Sequence, residues 1–135
     1  MYRDVETLLC GWLKTTLHVD SVIPELPYNL EFVLPTIAVE RFGGADDTIT
    51  LDQANVDVDV FHVSRAAAKT LAEQVRKALR VTLPATTFAD VTLGSVTVSR
   101  VQTISAPSIA PWDNSQLRRA TAAYRISLHA HNLNL

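Results

Sequence analysis

With 135 residues, the chain has the length of one ordinary domain and room for one hydrophobic core. A composition of 47% hydrophobic and 19% charged residues argues against a natively unfolded chain. The net charge of −2 argues against a protein that grips nucleic acid through phosphates. No segment reads as a secretory signal or reaches the roughly 18 to 20 apolar residues that cross a bilayer, so we expect a protein kept in a cytosol-like compartment.

The first predicted element is a helix over residues 3–17. Gly11, in its middle, costs about 1 kcal/mol relative to alanine, which predicts close packing against a neighbour. Cys10 is the only cysteine and lies beside apolar residues, so we interpret it as a buried, inert thiol rather than a nucleophile. The apolar residues of this helix recur on one side: Val5, Leu8, Leu9, Trp12, Leu13 and Leu17.

A β-hairpin follows. Residues 32–42 are predicted to form a strand, and Pro35, which has no backbone N–H, places its start at a sheet edge or before the paired region. A phosphate-binding loop is one reading of the two glycines that come next, but the aspartates after them would repel phosphate. We therefore predict a turn, with extended chain resuming at residue 48, made of Gly43, Gly44, Ala45, Asp46 and Asp47.

The clearest pattern lies between residues 55 and 83. Over residues 55–63, three valines alternate with Asp57 and Asp59, which is typical of a strand with one buried and one solvated face. A helix is predicted over residues 64–80, starting at Ser64. A strand that leads directly into a packed helix is typical of a small α+β domain. The helix carries an apolar stripe: Ala67, Ala68, Leu71, Ala72, Val75, Ala78 and Leu79.

The remaining chain predicts two strands and a loop. Residues 87–103 form a strand broken near Gly94, residues 105–116 form a long loop, and residues 118–131 form a strand in the sheet interior. The predicted fold is thus one α+β domain over residues 1–135. In it, a small mixed or antiparallel sheet of about four to five strands packs with two α-helices.

Two pairs of side chains have spacings found in chemical sites. Asp57 and Asp59 fit a general acid and base, although their strict alternation favours a solvated strand face. His129 and His131 fit two ligands of a transition metal, but a third ligand is missing nearby in sequence, which favours solvent-facing histidines. The serines lie in no Gly-x-Ser-x-Gly segment. We therefore predict no catalytic residue, cofactor or metal site.

Other residues suit an interface. Trp112 lies in the predicted loop, and tryptophan is enriched in interface hot spots; the alternative is that it folds back over the local core. Arg118 and Arg119 suit an acidic partner or a phosphate backbone, with strand-start surface charges as the alternative. In a ring-shaped assembly, Asp57 and Asp59 would line the channel and repel DNA.

Four segments carry a family resemblance, in chain order: DVETLLCGWLKTTL, ELPYNLEFVLPTIAVERFGGADDTITLD, NVDVDVFHVSRAAAKTLAEQVRKALRVTLP and APWDNSQLRRATAAYRISLHAH. The most telling parts are GGADD, the VDVDVF strand before SRAAAKTLAEQVRKAL, and WDN ahead of RRATAAYRISLH. Together these segments resemble the tail terminator proteins of long-tailed, siphovirus-type phages that infect actinobacteria. The resemblance covers nearly the whole chain.

The resemblance implies a small α+β protein that assembles, usually as a hexameric ring, on the end of the growing tail tube. Such a ring stops polymerisation of the major tail protein and offers a docking surface to the head-proximal neck protein. DNA passes through it without specific binding. The implied location is the tail–neck junction of the virion, after assembly in the host cytoplasm. Another head-to-tail connector, such as a stopper or adaptor, is the alternative, and a small α+β enzyme is a remote one.

The exposure and residue composition of the predicted strand face, hairpin and loop indicate which residues make contacts in such a ring. We expect Asp57 and Asp59 to face the channel. We expect the hairpin and the loop to contact neighbouring subunits or the neck, through Gly43, Gly44, Asp46, Asp47, Trp112, Asp113, Asn114, Arg118 and Arg119.

Overall fold

A computed structural model describes residues 4–48, 50–89, 94–112 and 116–131, without the side chains of Asp47 and Thr48. These ranges contain helices α1 (Val5–Leu17) and α2 (Arg65–Lys77), the latter continued by a π-helical turn (Ala78–Thr82), and a short 3₁₀ helix (Leu30–Phe32). They also contain a six-stranded sheet made of β1 (Ser21–Ile23), β2 (Thr36–Thr48), β3 (Leu51–His62), β4 (Thr87–Phe88), β5 (Val96–Ala110) and β6 (Arg118–Ala130).

The strand order is β1-β2-β3-β6-β5-β4, with β1 parallel to β2 and the other neighbours antiparallel. The predicted α+β class, with two helices and a mixed sheet, is confirmed. Within the described ranges the sheet has six strands rather than four or five. The prediction falls short because β1 and β4 have only three and two residues, too few to show a period-two pattern.

Both predicted helices are present and begin at side-chain caps. Asp4 accepts a hydrogen bond from the backbone N–H of Glu6 at 3.1 Å, and the hydroxyl of Ser64 accepts one from Ala67 N–H at 3.1 Å. α1 packs on β1 and β2, and α2 packs on β3, β6 and β5, so one core forms between the helices and one face of the sheet. The predicted packing at Gly11 is wrong: among the described residues, no atom lies within 4 Å of a Cβ placed there.

The β-hairpin is confirmed, but its turn is not where we predicted it. β2 extends through residues 43–47, and the chain reverses after Thr48. Gly43 and Gly44 have φ angles of 131° and 115°, and the pairing register shifts between Arg41 and Gly43. The two glycines therefore mark a bulge within the strand, where positive φ is needed, and not a reversal of the chain.

The predicted loop over residues 105–116 is also partly wrong. β5 continues to Ala110 and pairs with β6 along its length, with three register shifts. Pro107, which suggested a loop, lies within the shift between Ser105 and Ser108, where its missing N–H interrupts no regular pair. Among the described residues of this stretch, Pro111, Trp112 and Gln116 lie outside the sheet. β6 lies between β3 and β5, so its predicted interior position is confirmed.

Candidate functional site

Both helices pack on one face of the sheet, and we call the opposite face the open face. Side chains alternate along a strand, so the buried valines of β3 face the helices while Asp57 and Asp59 lie on the open face. Glu40 of β2 is the cross-strand neighbour of Asp57, which makes a row of three carboxylates. The adjacent part of β6 contributes Arg119, Thr121, Ala123 and Arg125.

The two aspartates have different surroundings. The hydroxyl of Thr121 donates a hydrogen bond of 2.5 Å to Asp59, and the Arg119 guanidinium lies 3.9 Å from the same carboxylate. Burial raises the pKa of Asp57, and the neighbouring charges of Asp59 and Glu40 raise it further. The contacts with Thr121 and Arg119 are typical of a carboxylate with a structural role, and they belong to Asp59 rather than to Asp57. Both aspartates are partly exposed, as the alternation predicted, and their place in a channel stays a prediction.

Trp112 packs against the sheet. Its ring meets Phe61 edge-on, with centroids 4.9 Å apart, and the Arg119 guanidinium carbon lies 5.3 Å from the centroid of the indole. Phe61 is fully buried in a second apolar cluster with Leu30 and Leu117, whereas Trp112 remains 37% exposed. The fold-back alternative therefore describes its position, and the exposed third of the ring leaves its predicted interface role open.

Arg118 and Arg119 are not brought together, because successive strand residues point to opposite faces. Arg119 lies on the open face between Asp59 and Trp112. Its Nε is buried and has no hydrogen-bond partner among the described residues. Arg118 is exposed, and its guanidinium donates to the Leu117 carbonyl at 3.0 Å.

The predicted interface residues lie at two ends of the sheet. Gly43, Gly44 and Asp46 are exposed on β2 in the half that leads to the hairpin turn. Trp112 lies at the other end, where Phe61 pairs with the first residue of β2. Asp113, Asn114 and the Asp47 side chain lie outside the described residues. Any contact made by the described members must therefore involve two separate surfaces.

The histidine pair has neighbours of its own. The rings of His129 and His131 are 5.0 Å apart, and the Nε2 atom of His131 lies 3.0 Å from the Thr97 hydroxyl. Within the described ranges, no group of three or more His, Cys, Asp or Glu side chains is placed to hold a metal ion.

Sequence reasoning missed an ion pair between β2 and β3. The Arg41 guanidinium donates two hydrogen bonds to the Asp52 carboxylate, at 2.8 and 2.9 Å. Asp52 is buried because it occupies the helix-facing register of β3, two residues before Ala54. The sequence could have predicted this pair from the position of Asp52 in the alternation of β3, because a carboxylate among buried apolar residues requires a cationic partner.

Sequence reasoning also missed a recess of about 610 Å³ beside β1. Glu6, Glu25 and Glu40 line it together with Ile23 and Pro24, and the Glu6 carboxylate accepts the backbone N–H of Arg41 at 2.8 Å. The three glutamates are far apart in sequence, so only the fold places them together. Negative charge therefore extends from the open face to the β1 edge.

Comparisons with models of known protein families and with curated proteins give no match. Among the residues that the structure describes, no helix is both long enough and apolar enough to span a membrane.

Proposed function

We propose that this chain is a phage tail terminator, a structural subunit that forms a ring, usually of six copies, on the end of the tail tube. The proposal rests first on the ordered resemblance of four segments to that family. The observation of the fold that supports it best is the open face, a sheet surface with charged rows that neither α1 nor α2 covers and that the 3₁₀ helix Leu30–Phe32 covers only at its Phe61 end. Such a surface suits contacts with other proteins or a solvent-filled channel.

The proposed mechanism depends on shape. One side of the ring resembles the tube subunit enough to bind the last tube layer. The other side has no surface for a further layer and binds a neck protein instead. Growth stops because the template for addition is lost. A head-to-tail contact between subunits gives a ring of finite size when its rotation divides a full turn.

In this proposal, the row of Glu40, Asp57 and Asp59 faces the channel. Negative charge there repels the DNA backbone, which keeps DNA from adhering as it passes. Asp59 is held by Thr121 and Arg119, so its charge has a fixed position.

The test uses purified protein, tail tubes assembled from the major tail protein, and DNA-filled heads, viewed by electron microscopy. We expect rings on tube ends, shorter tubes when the protein is present during polymerisation, and no binding to heads alone. Binding to heads but not to tubes would instead indicate a stopper or adaptor. A protein that binds neither tail tubes nor heads would overturn the proposal.

A pair of variants tests the channel assignment. Asp57→Asn with Asp59→Asn removes the charge at nearly constant shape, so rings and tube capping should persist. Glu40→Lys with Asp57→Lys leaves Asp59 and its contacts with Thr121 and Arg119 in place, so this variant should cap tubes equally well but slow DNA release from assembled particles. Loss of capping in an asparagine variant that circular dichroism shows to be folded would place the aspartates in a contact surface. Unchanged release in the lysine variant would remove the row from the channel.

A further inference from the structure

The near-neutral net charge conceals a strong separation of charge along the chain. Residues 1–59 contain 11 of the 14 acidic residues and three of the 12 basic ones, a net charge of −8. Residues 60–135 contain the other three acidic and nine basic residues, a net charge of +6. The sequence alone gives no meaning to this separation, since a fold can mix the two halves.

The strand order keeps the two halves apart in space. β1, β2 and β3 lie side by side, with α1 packed on β1 and β2. β6, β5 and β4 form the other half of the sheet, and α2 packs mainly over β6 and β5. The molecule therefore has an acidic side, the α1 and β1–β3 half, and a basic side, the α2 and β4–β6 half.

Exposed residues carry the charge on each side. On the acidic side, Asp20 and Glu25 flank the edge strand β1, and Glu25 also lines the recess of about 610 Å³ that it shares with Glu6 and Glu40. Exposed basic residues of the basic side include Arg65, Lys69 and Lys77 on α2, Arg80 just after it, and Arg100 on β5. The exposed Glu73 of α2 lies 3.6 Å from Arg76, so its charge is countered within the helix. Arg80 is joined to β5 by a hydrogen bond of 2.8 Å to the Thr103 hydroxyl.

This arrangement favours one kind of contact between copies. Two copies that meet through the same side place like charges together, which disfavours a two-fold dimer through either side. Two copies that meet head to tail place the acidic side of one against the basic side of the next. The pair still has one acidic and one basic side free, so a further copy can add in the same way. We propose that subunits of this chain join head to tail, with the β1 edge of one copy against the α2 and β5 side of its neighbour.

This inference deepens the proposed function by naming the two surfaces that build the ring, and it rests on that function only for the position of the ring on the tail. The contact itself is testable with the purified chain alone. A chain that self-associates as described but does not cap tubes would overturn the proposed function and leave this inference standing.

The first test is carbodiimide crosslinking, which joins a lysine amine to a carboxylate that it touches. Equal amounts of ordinary and ¹⁵N-labelled protein distinguish links between copies from links within one copy. We expect mixed-isotope links from Lys69 or Lys77 to Asp20 or Glu25. Sedimentation should show self-association weakened about tenfold or more when salt is raised from about 50 to 500 mM.

The second test uses charge reversal. A basic-side variant, Lys69→Glu with Lys77→Glu, and an acidic-side variant, Asp20→Lys with Glu25→Lys, should each stay monomeric when alone. Mixed together, they should associate, because each supplies the side that the other has lost. The chain that carries all four changes should also self-associate.

Several results would overturn the inference. These are a chain that stays monomeric at every protein and salt concentration, links only within one copy, or association unchanged in both charge-reversed variants. Circular dichroism of the variants separates loss of association from loss of folding, since all four positions are exposed.

Discussion

The Arg41 guanidinium and the Asp52 carboxylate form two parallel hydrogen bonds that tie the bulged part of β2 to the first residues of β3. The hydrogen bond to Asp52 is the main reason that the pKa of Arg41 lies above its ordinary value. The backbone N–H of Arg41 also binds Glu6 of α1, so a single residue connects the hairpin to the first helix.

Loss of one partner should therefore destabilise the hairpin. Asp52→Ala leaves a guanidinium in a partly buried site without its counter-charge, and we expect a loss of about 2 kcal/mol in the free energy of unfolding. Chemical denaturation measures it, with the exposed Glu25→Ala as the control, expected within about 0.5 kcal/mol of the parent chain. A double-mutant cycle with Arg41→Ala should give a coupling energy above about 1 kcal/mol; additive losses would contradict the pairing.

Gly44 gives a second prediction. A Cβ at this position would overlap the backbone carbonyl of Gln53, and the φ angle of 115° is strained for any other residue. Gly44→Ala should lower the free energy of unfolding by at least about 2 kcal/mol. Gly43→Ala is the matched control: its φ angle is also positive, but among the described residues no atom lies within 4 Å of its Cβ position. Equal losses in the two variants would show that strain, and not the overlap, dominates.

The burial of Tyr124 predicts that the free energy of unfolding depends on pH. It is fully buried, its hydroxyl has no partner among the described residues, and burial raises its pKa to about 12 from an ordinary value of 10. Between pH 10 and 12 the unfolded chain releases this proton before the folded chain does, so stability that is present below pH 10 should be lost across that range. Tyr124→Phe should remove this component of the loss.

At neutral pH, the same Tyr124→Phe variant should be as stable as the parent or more stable by up to about 1 kcal/mol, because it deletes a buried group without a partner. Thermal denaturation from pH 7 to 12 measures both effects. A loss of more than about 1 kcal/mol at pH 7 would show that the hydroxyl is hydrogen-bonded in solution.

Trp112 should contribute to stability through its contact with Phe61. Trp112→Ala removes an edge-on aromatic contact and uncovers the second apolar cluster, and we expect a loss of about 1 to 3 kcal/mol. Tyr28→Ala is the control, because Tyr28 is fully exposed and its removal should change stability by less than about 0.5 kcal/mol. If Trp112→Ala leaves the free energy of unfolding unchanged but abolishes tube capping, the indole lies in an interface.

Cys10 should be a poor nucleophile. Burial, followed by the charges of Glu6 and Asp4, raises its pKa to about 11. At pH 8 only about one thiol in a thousand is then ionised, so alkylation by iodoacetamide should be slow in the folded chain and fast in denaturant. The structure leaves Cys10 half-buried rather than fully buried as predicted, and equal rates in the two conditions would contradict even this partial burial.

The sequence predicted those elements whose patterns are long and regular. The alternating valines and aspartates of β3 and the stripe of α2 are specified by their own residues, because each period matches one backbone geometry. Gly43 and Gly44 misled the prediction because glycine provides positive φ equally in a turn and in a bulge. Pro107 misled it because a register shift, which no local pattern reveals, accommodates the proline inside β5.

The candidate surfaces were less predictable. Asp57 and Asp59 could be assigned to the solvated face because strand alternation decides it. The contact of Trp112 with Phe61 joins residues 51 positions apart, and the recess beside β1 joins glutamates from three segments. Those relationships depend on strand order, and a sequence of this length is compatible with many orders.

The three register shifts of β5 bear on how the chain avoids uncontrolled polymerisation into fibrils. β4 pairs with only two residues of β5, so within the described ranges most of the outer edge of β5 lacks a neighbouring strand. A flat edge of that length would be a template for amyloid-like stacking. The bulges and Pro107 break the even spacing of N–H and C=O groups, so a stray strand finds no continuous row to bind.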